Sequence, residues 1–127
     1  GIGMATYGGK VGTVSPDATA SAQRDSILDI ACNTGWIDAA GEAPSPDWVR
    51  NFYKDLFAET GGVPVPNEQA DGCMINHPDT ELPDAEWNQS GVPWYTLYYK
   101  DNYPRLQEIT RQWDPLNIFH HALSIRP

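Results

Sequence analysis

The sequence predicts an α+β fold. Two stretches carry apolar residues at helical spacing, Trp48, Phe52 and Leu56 in one and Leu106, Ile109 and Trp113 in the other, while residues 27–36 alternate with the period of a strand. The composition agrees: 40% hydrophobic and 20% charged residues over 127 positions is ordinary for one globular domain and excludes a disordered chain.

From the N-terminus, Gly1 to Gly9 is neither polar nor low in complexity and reads like the interior of a longer protein. Lys10 to Val14 carries Val11, Thr13 and Val14 and is expected as a short strand, closed by the turn chemistry of Ser15-Pro16-Asp17. From Ile27 to Trp36, Leu28, Ile30, Cys32, Thr34 and Trp36 share one face; Ile27, Asp29, Ala31, Asn33 and Gly35 share the other, smaller and more polar one, facing solvent or lining a pocket. Residues 39–44 read as a loop. Ser45-Pro46-Asp47 then starts a helix with Ser as N-cap and Pro at the first position, and Gly61-Gly62 ends it.

Val63 to Pro66 is expected as an extended connector, Gly72 to His77 as a short strand, and Glu81 to Pro93 as a loop. Trp94 to Tyr99 is a short helix and Tyr103 to Trp113 a second clear one, with Asn102 as N-cap and Asp114-Pro115 as stop. Asp114 to Asn117 is expected to make an Asx-type turn with Phe119 tucked into the core. The aromatic series between Trp87 and Trp113 suggests core more than a sugar-stacking surface. No hairpin turn joins the expected strands, so they are expected to pair with structure outside this sequence.

Charge and cysteine content narrow the function classes. Eight Lys and Arg against 17 Asp and Glu leave a net charge of −9, without the basic stripe nucleic acid requires. No apolar run approaches the roughly 20 residues of a membrane helix, and the start lacks the pattern of a signal peptide. The compartment stays open. Cys32 and Cys73 allow one disulfide without requiring it, and the three histidines, His120 and His121 being adjacent, give no metal-ligand spacing.

Four segments in order carry a family resemblance. They are Tyr7-Gly8-Gly9 with Pro16, Ala18-Thr19-Ala20 and Arg24; Asn76-His77-Pro78-Asp79; Trp94 through Leu106; and Trp113-Asp114-Pro115-Leu116-Asn117-Ile118-Phe119 with Ser124-Ile125. Together they resemble the C-terminal portion of berberine-bridge-enzyme-like FAD-linked oxidases, in the manner of the actinobacterial sugar and antibiotic oxidases. The resemblance implies the end of a vanillyl-alcohol-oxidase-type flavoprotein: residues 1–70 would complete the antiparallel sheet and helix of a substrate-binding domain, and residues 71–127 would return to the FAD domain. FAD would be attached covalently to the N-terminal portion of the same flavoprotein, the partner implied here, with a small-molecule substrate and O2.

The family's base is a Tyr two residues before the Asn of a Tyr-x-Asn segment, and here Met74 stands in its place. A thioether accepts no proton usefully. A second family position, two residues before Tyr7, is the equally inert Ala5. The resemblance leaves Asp29, His77 and Tyr7 as catalytic candidates, since carboxylates and imidazoles do general-base work; the bland readings are a solvated strand charge for Asp29 and a local turn contact for His77. Asn76, Tyr99 and Asn102 are the flavin-side candidates, Asn102 being equally an N-cap. The implied activity is oxidation of an alcohol on a sugar or natural product. Alternatives are a flavoprotein that performs a cyclisation or other tailoring step without the Tyr base, and a stand-alone carbohydrate-binding module.

Overall fold

A computed structural model describes residues 1–42 and 44–127. Two strands, β1 (Ile2–Thr6) and β2 (Leu28–Cys32), form an antiparallel ribbon in which Ile2 faces Cys32, Met4 faces Ile30, Ala5 faces Asp29 and Thr6 faces Leu28. The period-two pattern thus marks a real strand, shorter than the sequence suggests. Its partner lies within the chain, which corrects the expectation that the strands pair only with outside structure. Ile2, Met4, Leu28 and Ile30 share one ribbon face and are each at least half exposed.

Residues 10–14 do not form a strand. Val11–Thr13 is a turn of 3₁₀ helix, and the Thr13 hydroxyl donates back to the Lys10 carbonyl at 2.8 Å, the local bonding that competes with extended structure. Residues 72–77 are not a strand either. Gly72 sits at a φ of +90°, and the Cys73 N–H donates to the Leu97 carbonyl at 2.8 Å, so this segment is pinned to a helix end. A Cβ on Gly72 would stand 2.3 Å from that same carbonyl oxygen, so the approach requires glycine.

The helices follow the sequence more closely. A single turn, α1 (Ala39–Glu42), replaces part of the expected loop, and α2 (Pro44–Leu56) starts two residues earlier than expected, which places Ser45 within its first turn rather than at the N-cap. Proline is tolerated there because a first-turn N–H has no intrahelical partner. A 3₁₀ turn, Ala58–Thr60, extends the helical course to Gly61, whose φ of +77° ends it as the sequence suggests. Then α3 (Trp94–Tyr99), a 3₁₀ turn at Lys100–Asn102, and α4 (Tyr103–Trp113) follow in direct succession.

The core gathers on α3. Val63, Leu82, Trp94, Leu97, Tyr98, Tyr99, Tyr103 and Leu123 are buried together, with Tyr95 and Tyr103 stacked at 4.0 Å between ring centroids. The aromatic series is therefore mainly core, as its helical spacing suggests. The exposed exception in the series is Trp113, and beyond it Phe119 is 83% accessible. That corrects the expected burial of Phe119 and the expected Asx-type turn: the Asp114 carboxylate accepts from the Ile118 and Phe119 N–H groups, four and five residues on rather than the two of an Asx turn, and the chain carries the ring outward. Both cysteines are free thiols.

Candidate functional site

An open cleft of about 1010 Å³ separates the β1–β2 ribbon from α2 and the segments around residues 62–82. Two ties fix its walls. Asp71 accepts from the Ser26 hydroxyl at 2.8 Å and from the Asp25 N–H at 3.3 Å, and pairs with Lys100. Gln23, buried at 6% exposure, donates from Nε2 to the Tyr98 carbonyl at 2.8 Å, while its own carbonyl accepts from the Tyr7 hydroxyl at 3.1 Å. The Tyr98 hydroxyl in turn accepts from the Asp79 N–H at 2.9 Å. These bonds connect the ribbon to α3 and α3 to the turn after His77.

Tyr7, Asp29, Met74 and His77 all line this cleft. Asp29 sits half-buried on β2, and His77 closes a turn in which its N–H donates to the Met74 carbonyl at 3.0 Å. Ala5 and Asp29 are register partners. Side chains directly opposite on an antiparallel pair lie roughly 5 Å apart at Cβ, so the carboxylate occupies the neighbourhood that Ala5 leaves empty.

The flavin-side candidates separate. Asn76 is exposed on the same turn as His77. Tyr99 is in the core, 6% exposed and packed on Tyr98 and Tyr103. Asn102 makes no side-chain cap; its buried amide donates to the Pro16 and Thr19 carbonyls at 2.7 and 3.0 Å and holds the 16–19 loop against the helices. His120 and His121 engage separate backbone partners, the Asn117 carbonyl and the Leu123 N–H.

Sequence reading passed over the floor of the cleft. Tyr53 of α2 and Cys73 meet there, hydroxyl to sulfur at 3.7 Å. Burial pushes the Cys73 thiol up to about 11 and drives the Tyr53 phenol far above its ordinary range; the Asp79 carboxylate raises both further. Burial likewise raises Tyr98. Tyr53 falls at helical spacing from Val49, which reads as core, and no motif marks Cys73 or the ties through Asp71 and Gln23.

The family model "Berberine and berberine like" matches residues 73–126. Residues 73–126 form a berberine-bridge-like segment. Over 99% of this chain and 23% of its own length, the aclacinomycin-N/aclacinomycin-A oxidase of Streptomyces galilaeus is 52% identical. A hexose oxidase of Chondrus crispus is 35% identical over 94% of the chain and 23% of its own length. Among solved structures, a glycopeptide hexose oxidase complexed with teicoplanin superposes with a TM-score of 0.90 at 53% identity, covering 99% of this chain and 25% of the other. The chain spans about a quarter of the length of these relatives, all of them oxidases by name. The resemblance read from the four sequence segments is thereby borne out.

Proposed function

We propose that this chain forms the substrate-facing wall of an FAD-linked oxidase that oxidises an alcohol on a sugar or natural product, with O2 as the final acceptor. The observation that carries this reading is the cleft, whose lining includes Asp29, His77 and Met74, the last at the position where the family places its base. The relatives supply the substrate class, since their names join oxidase to hexose, glycopeptide and aclacinomycin. Residues 1–70 complete a substrate-binding domain, and residues 71–127 pack on an FAD domain supplied by the rest of the flavoprotein.

The donor set fits one edge of a flavin in part. Asn76 offers an amide with both donors and an acceptor from an exposed turn, whereas Tyr99 and Asn102 are held within the fold. FAD, when bound, supplies the hydride acceptor. The chain's own work is to bind the alcohol and to take its proton, at the Asp29 carboxylate or at a ring nitrogen of His77. Tyr7, held by Gln23, lines the same cleft.

The test is anaerobic flavin reduction by hexose or aclacinomycin A in the complete flavoprotein. Replacing the true base, by Asp29→Ala or His77→Ala, is expected to slow reduction about 10²- to 10⁴-fold. Wild-type rates in both variants would remove both residues from proton transfer.

A further inference from the structure

The cleft floor holds a hydroxyl that the fold leaves poorly satisfied. Tyr53 reaches the floor from α2, and its phenol meets the Cys73 sulfur, 3.7 Å away. Thiol sulfur is a weak acceptor, and a half-buried O–H that finds only such a partner gains from any better one. Around the pair stand Tyr98 and the carboxylate of Asp79, whose Oδ1 is engaged by the Glu81 N–H at 2.9 Å. The open side of the pair is the cleft itself.

We propose that Tyr53 is a substrate-binding residue, donating its phenolic hydrogen bond to a neutral oxygen, a hydroxyl or carbonyl, of the ligand that enters the cleft, with Cys73 as the placeholder acceptor when the cleft is empty. This rests on the oxidase reading above and adds a specificity determinant to it. The class follows from charge. The phenol and thiol stay protonated across the physiological range because burial and the Asp79 carboxylate oppose their ionisation. A neutral donor beside a carboxylate rewards a neutral oxygen and disfavours an anionic one. Tyr53 thus differs from the family's Tyr base in role, because a phenol held protonated donates and does not take a proton.

The experiment follows anaerobic reduction of the complete flavoprotein by hexose and by aclacinomycin A, separating the apparent Kd from the limiting rate. Tyr53→Phe is expected to raise the apparent Kd about five- to tenfold, the loss of one buried hydrogen bond, with the limiting rate within about twofold. An unchanged Kd in a variant of wild-type flavin content and Tm overturns the proposal, and so does a fall in limiting rate alone, which would place Tyr53 in the chemical step. Should that variant fail to fold, Cys73→Ala decides: with its competing acceptor gone the phenol is expected to hold the probe at least as tightly, and weaker binding overturns the assignment. A wild-type protein reduced by neither probe overturns the oxidase reading itself, and this proposal with it.

Discussion

At the scale of single residues, the buried thiol of Cys73 has consequences outside catalysis. Its proton is held up to about 11 against an ordinary value of 9.0, chiefly by burial. A group whose folded pKa lies above its unfolded one stabilises the fold at pH values below the unfolded pKa, and that contribution disappears as pH rises through the folded one. Stability is therefore expected to fall between pH 9 and 11 by about 2 to 3 kcal/mol from this thiol alone, and less in Cys73→Ala. Thermal unfolding at pH 8 and pH 10.5 checks this; equal losses in both proteins would assign the effect to other groups. Alkylation at pH 8 should likewise be slow at Cys73. Asn102 makes a second case. Its two amide donors are spent on the Pro16 and Thr19 carbonyls, so Asn102→Ala is expected to destabilise by about 1 to 3 kcal/mol, read from urea unfolding. Sequence marked Asn102 as interesting but gave it a cap or a flavin. A side chain that bridges 83 residues of sequence leaves no local signal, and the same holds for Gln23 and Tyr98, 75 residues apart.

At the scale of elements, legibility followed periodicity. Helices α2, α3 and α4 were readable because their apolar spacing, prolines and Gly61 are all local features. Strand β2 was readable for the same reason, but its partner was not, since β1 sets the small Gly3 and Ala5 between Ile2 and Met4 where polar residues would have marked the alternation. Residues 72–77 misled because a short apolar run closed by a turn says nothing about whether an edge is available to pair with. Here Gly72 decides. Its positive φ and its approach to the Leu97 carbonyl make Gly72→Ala a direct test: the added methyl would meet backbone oxygen at 2.3 Å. The cost is expected to exceed about 2 kcal/mol, combining left-handed strain with a displaced helix end. Because the shift would also move Cys73 and the turn to His77, the complete flavoprotein should lose flavin-reduction rate along with Tm. A variant of unchanged Tm would mean that the segment relaxes freely, and that the cleft wall is not rigidly set from α3.

At the scale of the whole molecule, two regions of unequal cohesion face each other across the cleft. The α3 core is dense, with Leu97, Tyr98 and Leu123 each at 1% exposure or less. The ribbon has two strands, a largely exposed apolar face, and attachment through a few polar ties at Gln23, Ser26 and Asp71. A lone two-stranded ribbon is marginal in water, since it buries too little to offset the entropy of ordering its chain. Hydrogen exchange on residues 1–127 is therefore expected to show the amides bonded across the ribbon, such as those of Ala5 and Ala31, exchanging at least about a hundredfold faster than the amides of Leu97 to Tyr99, because local opening of weakly packed units costs much less than global unfolding. The same comparison in the complete flavoprotein should narrow the gap if the exposed ribbon face is covered there. Equal protection in the 127-residue chain would show that the ties through Asp71 and Gln23 suffice to make ribbon and core one cooperative unit, and the Asp29 wall of the cleft would then be as rigid as the wall carrying His77.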